Sequence, residues 1–200
     1  MKKIALILGM LVLLVSVSQA TYSYLYWDDG YKVDAKAWNN TGWYWAVEFD
    51  DNKTGGYPGF VNQIGLVIAS NYPDSTYEGG WVMIFEDNSG VPGTEIFRQA
   101  FETDVTRLDQ FQWIDIPETY VSTSTFYVAF EEAWDGGNHD GVGFDTDDQH
   151  PSHNWTYENG TWYDNYHGWA DIMIRCRWRA SLPAVEEATW GQIKADARNN

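Results

Sequence analysis

Cysteine is nearly absent from this chain. Cys176 is the one thiol in 200 residues, so no internal disulfide braces the fold and stability has to come from packing. Cys176 itself reads as a small buried hydrophobe. Basic residues are also scarce, with 12 Lys and Arg against 29 Asp and Glu. So acidic a chain repels phosphate backbones and anionic headgroups, which sets aside nucleic acid and membrane surfaces as partners. No stretch before Pro183 carries a helical period. Catalytic signatures are missing too: there is no G-x-S-x-G, no H-E-x-x-H and no phosphate-cradling glycine loop. Glu131 and Glu132 are acids of the type a glycosidase pairs, but in a chain so rich in carboxylates such a pair is expected by chance. The reading is therefore of a protein that is not an enzyme.

Long apolar runs are confined to one place. Lys2 and Lys3 precede the apolar residues 4–17, and Ser18-Gln19-Ala20 is a small-residue cleavage site. Residues 1–20 are expected to be a signal peptide: the run is short for a membrane span and no charged stop follows it. Thr21, not Cys, would follow the cut, which argues against a lipid anchor. Removing the leader takes two lysines with it and leaves ten basic residues against 29 acidic ones, a net charge of −19. A secreted or cell-surface chain with no membrane insertion after cleavage is expected, with one domain over residues 21–180 and a tail or short helix over 181–200.

What the chain has in abundance is aromatic rings, 12 Trp and 13 Tyr among them. They fall in runs of period two separated by turn residues, which points to strands. Trp43, Trp45, Val47 and Phe49 alternate, as do Phe126, Val128 and Phe130. Phe60, Ile64, Leu66 and Ile68 are expected to point inward. So are Ala170, Ile172, Ile174, Cys176 and Trp178, which makes Trp169, Asp171, Met173, Arg175 and Arg177 the outward set. Residues 81–85 are apolar on both faces and read as a central strand, and residues 21–27 as an edge strand. Pro92-Gly93 fits a type II turn, residues 50–59 form a loop rich in breakers, and residues 117–125 form a polar loop. Asn159-Gly160 is the strongest hairpin signal. It pairs Tyr157 with Trp162 and Trp155 with Asp164, so Trp155, Tyr157 and Trp162 share a face, expected to be the core face. About ten strands in all predict an all-β chain, an antiparallel β-sandwich of jelly-roll type.

The order of several short motifs resembles a known type of domain. The series is Val47 and Phe49, S-G-V-P-G at 89–93, W-x-D-I at 113–116, F-Y-V-A-F at 126–130, G-F-D-T-D at 143–147, W-x-Y-x-N-G-x-W at 155–162 and D-I-M-I-R at 171–175. It is similar to the jelly-roll-like β-sandwich accessory domain of secreted bacterial and archaeal proteins, over roughly residues 46–178. That resemblance implies a non-catalytic module. Residues 185–194 (VEEATWGQIK) are similar to C-terminal tails on secreted proteins of little-studied bacterial groups, which hints at a sorting or anchoring tag.

Three constellations bear on chemistry. Asp135, Asn138, Asp140, Asp145, Asp147 and Asp148 lie within fourteen residues among glycines. That is an oxygen-rich loop of the kind calcium uses, although the spacing is not that of an EF-hand, and a solvated acidic loop with Asx turns is the plainer account. His139, His150, His153 and His167 lie nearby; His150 and His153 read as surface polar residues rather than zinc ligands, because Pro151 separates them. Trp169, Met173 and Tyr163 are candidates for exposed contact with a ligand or partner. The leading expectation is a structural or adhesive protein that binds or self-assembles into an oligomer or filament. The alternative is a carbohydrate-binding module that stacks exposed Trp and Tyr on an extracellular polysaccharide, with calcium bracing its loops.

Overall fold

The structure is a computed structural model that describes residues 21–38, 40–70, 79–133, 141–146, 153–164 and 170–181. Among these the chain is mostly strand, in order β1 (Ser23–Leu25), β2 (Asp34–Lys36), β3 (Tyr44–Phe49), β4 (Gly59–Val67), β5 (Gly80–Asp87), β6 (Pro92–Phe101), β7 (Phe111–Val121), β8 (Phe126–Glu132), β9 (Val142–Asp145), β10 (Asn154–Glu158), β11 (Thr161–Asp164), β12 (Asp171–Ile172) and β13 (Ile174–Ala180). They form antiparallel sheets: four strands in the order β1-β13-β4-β7, six in the order β11-β10-β3-β8-β5-β6, and three in the order β12-β9-β2. The expected edge strand near the N-terminus is β1, at one side of the four-stranded sheet.

The period-two runs build the main core. Trp45, Val47 and Phe49 of β3, Val82 and Ile84 of β5, and Phe126, Val128 and Phe130 of β8 meet Ile64 and Leu66 of β4 and Ile174, Cys176 and Trp178 of β13; Phe144 and Ile172 join from the three-stranded sheet. These side chains are almost fully buried. At roughly 1.5–3 kcal/mol for each large apolar side chain, they are the main favourable contribution to folding. Cys176 lies among them, and burial pushes its thiol pKa well up.

Four local expectations fail, each for a physical reason. Phe60 points outward while Val61 is buried, because Asn62 bulges between the pairs Arg177–Gln63 and Trp178–Val61, and that one unpaired residue reverses the alternation. The turn between β5 and β6 centres on Ser89 and Gly90, both at positive φ, and Asn88 N–H donates to the Val91 carbonyl at 2.9 Å; Pro92-Gly93 is instead the start of β6. Residues 117–121 extend β7, since Pro117 can sit on an edge strand where its missing N–H is not needed. Residues 51–54 close one helical turn, α1 (Asp51–Thr54), capped by the Asp50 side chain, which accepts from Asn52 N–H.

The six-stranded sheet is apolar on both faces. Trp155, Ala46, Tyr127, Ala129, Met83 and Phe85 form a second cluster on the side away from the main core, with Tyr44 and Trp162 against it, and every member belongs to that one sheet. The hairpin register at Asn159-Gly160 is as expected, Trp155 opposite Asp164 and Tyr157 opposite Trp162. Its three rings share a face, but that face is the second cluster; the main core receives Thr156, which pairs with Trp45. Thr156 is fully buried and its Oγ1 has no hydrogen-bond partner among the described residues. An unpaired buried hydroxyl costs about 1–3 kcal/mol. Thr156→Val keeps the shape and removes that cost, so chemical denaturation is expected to give a variant more stable by about 1 kcal/mol or more. A loss of stability would mean the hydroxyl is satisfied.

Candidate functional site

The sequence-predicted residues do not converge. Asp135, Asn138, Asp140, Asp147 and Asp148 of the calcium expectation, and Trp169 of the contact patch, lie outside the described residues. Asp145 is fully buried; its Oδ2 accepts Asp29 N–H at 2.8 Å, and it stands opposite Asp171 in the β9–β12 ladder. Among the described residues no three His, Cys, Asp or Glu side chains stand together as a metal would require. Met173, expected outward, is 1% exposed. The chain passes there from the three-stranded to the four-stranded sheet, with Met173 N–H on the Gly143 carbonyl and Val67 N–H on the Met173 carbonyl, so both its sides are covered. Tyr163 is exposed, as expected. His153, expected at the surface, is half-buried and stacked on Trp27 at 3.6 Å. Glu131 and Glu132 are both buried and, as strand neighbours, face opposite ways. Glu131 pairs with Arg98 and accepts Gly42 N–H at 2.6 Å, and Glu132 accepts Trp38 N–H at 2.7 Å.

The rings of the six-stranded sheet's outer cluster are turned on one another. Tyr44 stacks on Tyr157 at 4.8 Å, Trp162 meets Phe85 edge-on at 5.3 Å, and Tyr127 meets Trp155 edge-on. Two of the rings are tied by their polar atoms: Trp155 Nε1–H donates to Glu48 Oε2 at 2.9 Å, and Tyr127 O–H donates to Asp87 Oδ1 at 2.9 Å. Burial raises the pKa of Glu48 and of Tyr127, the latter with help from nearby carboxylates. This cluster is a second packing layer.

The outer face of the four-stranded sheet is different. Alternation turns Ile174, Cys176 and Trp178 of β13 into the core and leaves Arg175, Arg177 and Arg179 on the far side. Register then lays three rungs across the strands. Arg175 pairs with Gly65 of β4 and Gly65 with Trp113 of β7; Arg177 pairs with Tyr24 of β1 and with Gln63, and Gln63 with Asp115; Arg179 pairs with Phe60, and Phe60 with Tyr120. Tyr24, Tyr26 and Tyr120 are about half exposed, at 53%, 45% and 49%.

Trp113 is the central ring. A Cβ on Gly65 would lie 2.9 Å from its Cε3 and Cζ3, so the indole lies flat over β4 in the space a side chain would fill. Tyr24 leans on it at 4.9 Å and Phe111 stacks beside it at 6.1 Å. The guanidinium of Arg175 sits between Phe111, at 4.0 Å, and Tyr26, at 4.8 Å, a cation–π arrangement. Beneath it Asp28 is buried and takes both Nε–H (3.1 Å) and Nη2–H (2.5 Å) from Arg175. Burial raises the pKa of Asp28, against the pull of Arg175. Arg179 donates to Glu118 at 2.7 Å, and that acid also takes the Tyr22 O–H; the Tyr22 hydrogen bond and Arg179 hold Glu118 below the usual carboxylate range.

Sequence reasoning missed this face because its residues come from strands far apart in the chain, Tyr24 and its partner Arg177 among them, and only register unites them. No family model, curated protein or solved structure matches the chain. Among the described residues no helix is long and apolar enough to cross a membrane.

Proposed function

We propose that this chain is a secreted, non-catalytic β-sandwich module of jelly-roll type that binds an extended polysaccharide on the outer face of its four-stranded sheet. The observation that carries the reading is Trp113, lying flat across Gly65 with exposed tyrosines and hydrogen-bonding side chains beside it. A pyranose presents a face of C–H groups and a rim of hydroxyls. A flat ring takes the first, and side chains such as Gln63 and Arg177 take the second. A site of this kind needs no acid pair and no strong pKa shift at the ring.

The test is affinity electrophoresis of the purified chain through gels cast with soluble polysaccharides. The chain is expected to be retarded in at least one of them. Trp113→Ala should migrate there as it does in a plain gel while still melting cooperatively as a folded chain. Retardation in none, or a Trp113→Ala variant retarded like the parent, would sink the reading.

Self-assembly is the second reading, and one feature favours it: β6 and β7, of 10 and 11 residues, are long edge strands at the same side of the molecule, bridged by Gln99 Nε2–H on the Asp115 carbonyl at 3.2 Å. Long edges invite pairing with a neighbour. Pro117 and the register shift opposite Val61 and Gln63 interrupt β7 in the way that blunts such pairing. Light scattering after size exclusion is expected to give a monomer at every concentration, and a concentration-dependent oligomer would favour assembly instead.

A further inference from the structure

On β13, β4 and β7 the middle rung of the candidate face is polar, while the rungs on either side carry rings there. Tyr24, Arg177, Gln63 and Asp115 cross β1, β13, β4 and β7 in one line. Strands are about 4.8 Å apart, so Arg177 and Asp115 are rooted about 10 Å from each other with Gln63 between them. Gln63 Nε2–H donates to Asp115 Oδ1 at 2.6 Å. Of the three arginines on this face, Arg175 is paired with Asp28 and Arg179 with Glu118. Arg177 lies over the Tyr22 ring at 4.7 Å, and no carboxylate is paired with it among the described residues.

We infer that this rung reads the hydroxyl groups of an uncharged polysaccharide, with Asp115 as acceptor, Arg177 as donor and Gln63 as both. The inference rests on the sheet-face reading above and names its ligand class. A hydroxyl both gives and takes a hydrogen bond, so its recognition calls for an acceptor-only group beside donor-only groups. A carboxylate and a guanidinium supply that pair, and an amide carbonyl fills the space between. Rungs are two residues apart along a strand, about 6.8 Å. A pyranose stacked on Trp113 therefore hangs its rim over Gln63 and Asp115. Asp28 and Glu118 offset Arg175 and Arg179, and Asp115 stands on the same rung as Arg177 without touching it, which leaves the face without an excess of positive charge, on a chain whose net charge is −17. Such a surface gives a polyanion no attraction.

The experiment is affinity electrophoresis and calorimetry of the purified chain with galactomannan, xylan and hydroxyethyl cellulose as neutral probes, and polygalacturonate and dextran sulfate as anionic ones. The chain is expected to bind a neutral probe, with an affinity that changes little between low and physiological salt. Asp115→Ala and Arg177→Gln are each expected to weaken binding about tenfold or more while melting within a few degrees of the parent. Three results overturn the inference. Binding to the anionic probes alone, weakening as salt rises, would assign the opposite ligand class. Neutral binding lost in Trp113→Ala but unchanged in Asp115→Ala and Arg177→Gln would leave the sheet-face reading standing and remove the rung from it. No binding to any probe would take both readings down together.

Discussion

Arg175→Ala is expected to lose about 3–5 kcal/mol of stability at neutral pH, the usual cost of leaving a buried charge without its partner. Asp28 is 1% exposed, and both its oxygens accept from Arg175. With the guanidinium gone, the carboxylate stays buried, where burial raises its pKa and the charge of the equally buried Asp145 adds to the rise. A loss of that size takes a large share of the 5–15 kcal/mol that holds a domain of this size folded. The substitution also empties the slot between Phe111 and Tyr26.

The pH dependence of the defect separates the charge from the lost packing. Burial lifts the folded-state pKa of Asp28 above its unfolded value even with Arg175 present. Folding therefore favours the protonated acid: the stability this group contributes is complete below the ordinary carboxylate range and is lost as pH rises through the raised folded value. Removing Arg175 takes away the group that holds that value down, so the folded pKa climbs further and the variant gains more from acidification than the parent does. Urea unfolding at pH 7 and near pH 4.5 should show the gap narrowing. Asp28→Leu combined with Arg175→Met, which removes both charges and keeps apolar volume, is expected to recover most of the loss. A single variant within 1 kcal/mol of the parent at pH 7, or a gap that widens on acidification, would refute the account.

The reasons that make this pair hard to foresee also explain which parts of the fold were legible. Period-two alternation marks a strand with one buried face, and it picked out the core positions of β3, β8 and β13 almost residue by residue. Asn159-Gly160 fixed a hairpin register because a two-residue turn leaves no freedom in the pairing. Parity is fragile, however. A single residue, Asn62, left unpaired against β13 beside Val61, turns Phe60 to the other face, and composition carries no signal for a bulge. Met173 looked outward by parity but lies where one sheet hands over to the next, and no alternation marks such a handover. The aromatic hairpin reads as main core from sequence because two cores on one sheet look the same as one: Trp155 and Thr156 are both buried, on opposite faces. The candidate face itself is a matter of register alone. Nothing near Trp113 in sequence says that Gly65 will stand opposite it, or that Arg177, Gln63 and Asp115 will share a rung.

That pairing gives the sharpest test of function against packing. An aromatic laid over a cross-strand glycine also occurs as a device that only shields the glycine's backbone and steadies the sheet. On that account Trp113 serves Gly65, and giving Gly65 a side chain of its own makes the cover unnecessary. Gly65→Val does so. Its Cβ would meet the indole at 2.9 Å, a contact relieved by turning the ring up from the sheet, since the atoms met belong to a side chain and not to the backbone. A β-branched residue within a strand is favoured over glycine by about 0.5–1 kcal/mol, which offsets the lost contact. The variant is therefore expected to melt at or above the parent's temperature. If the flat indole is the sugar platform, the same variant loses its ligand: polysaccharide affinity should fall about thirtyfold or more, the equivalent of about 2 kcal/mol. Stability held while binding collapses separates the two roles of Trp113, because Trp113→Ala removes cover and platform together and Gly65→Val removes the platform alone. Undiminished binding in Gly65→Val would return Trp113 to the sheet and move the search for a ligand elsewhere on the molecule.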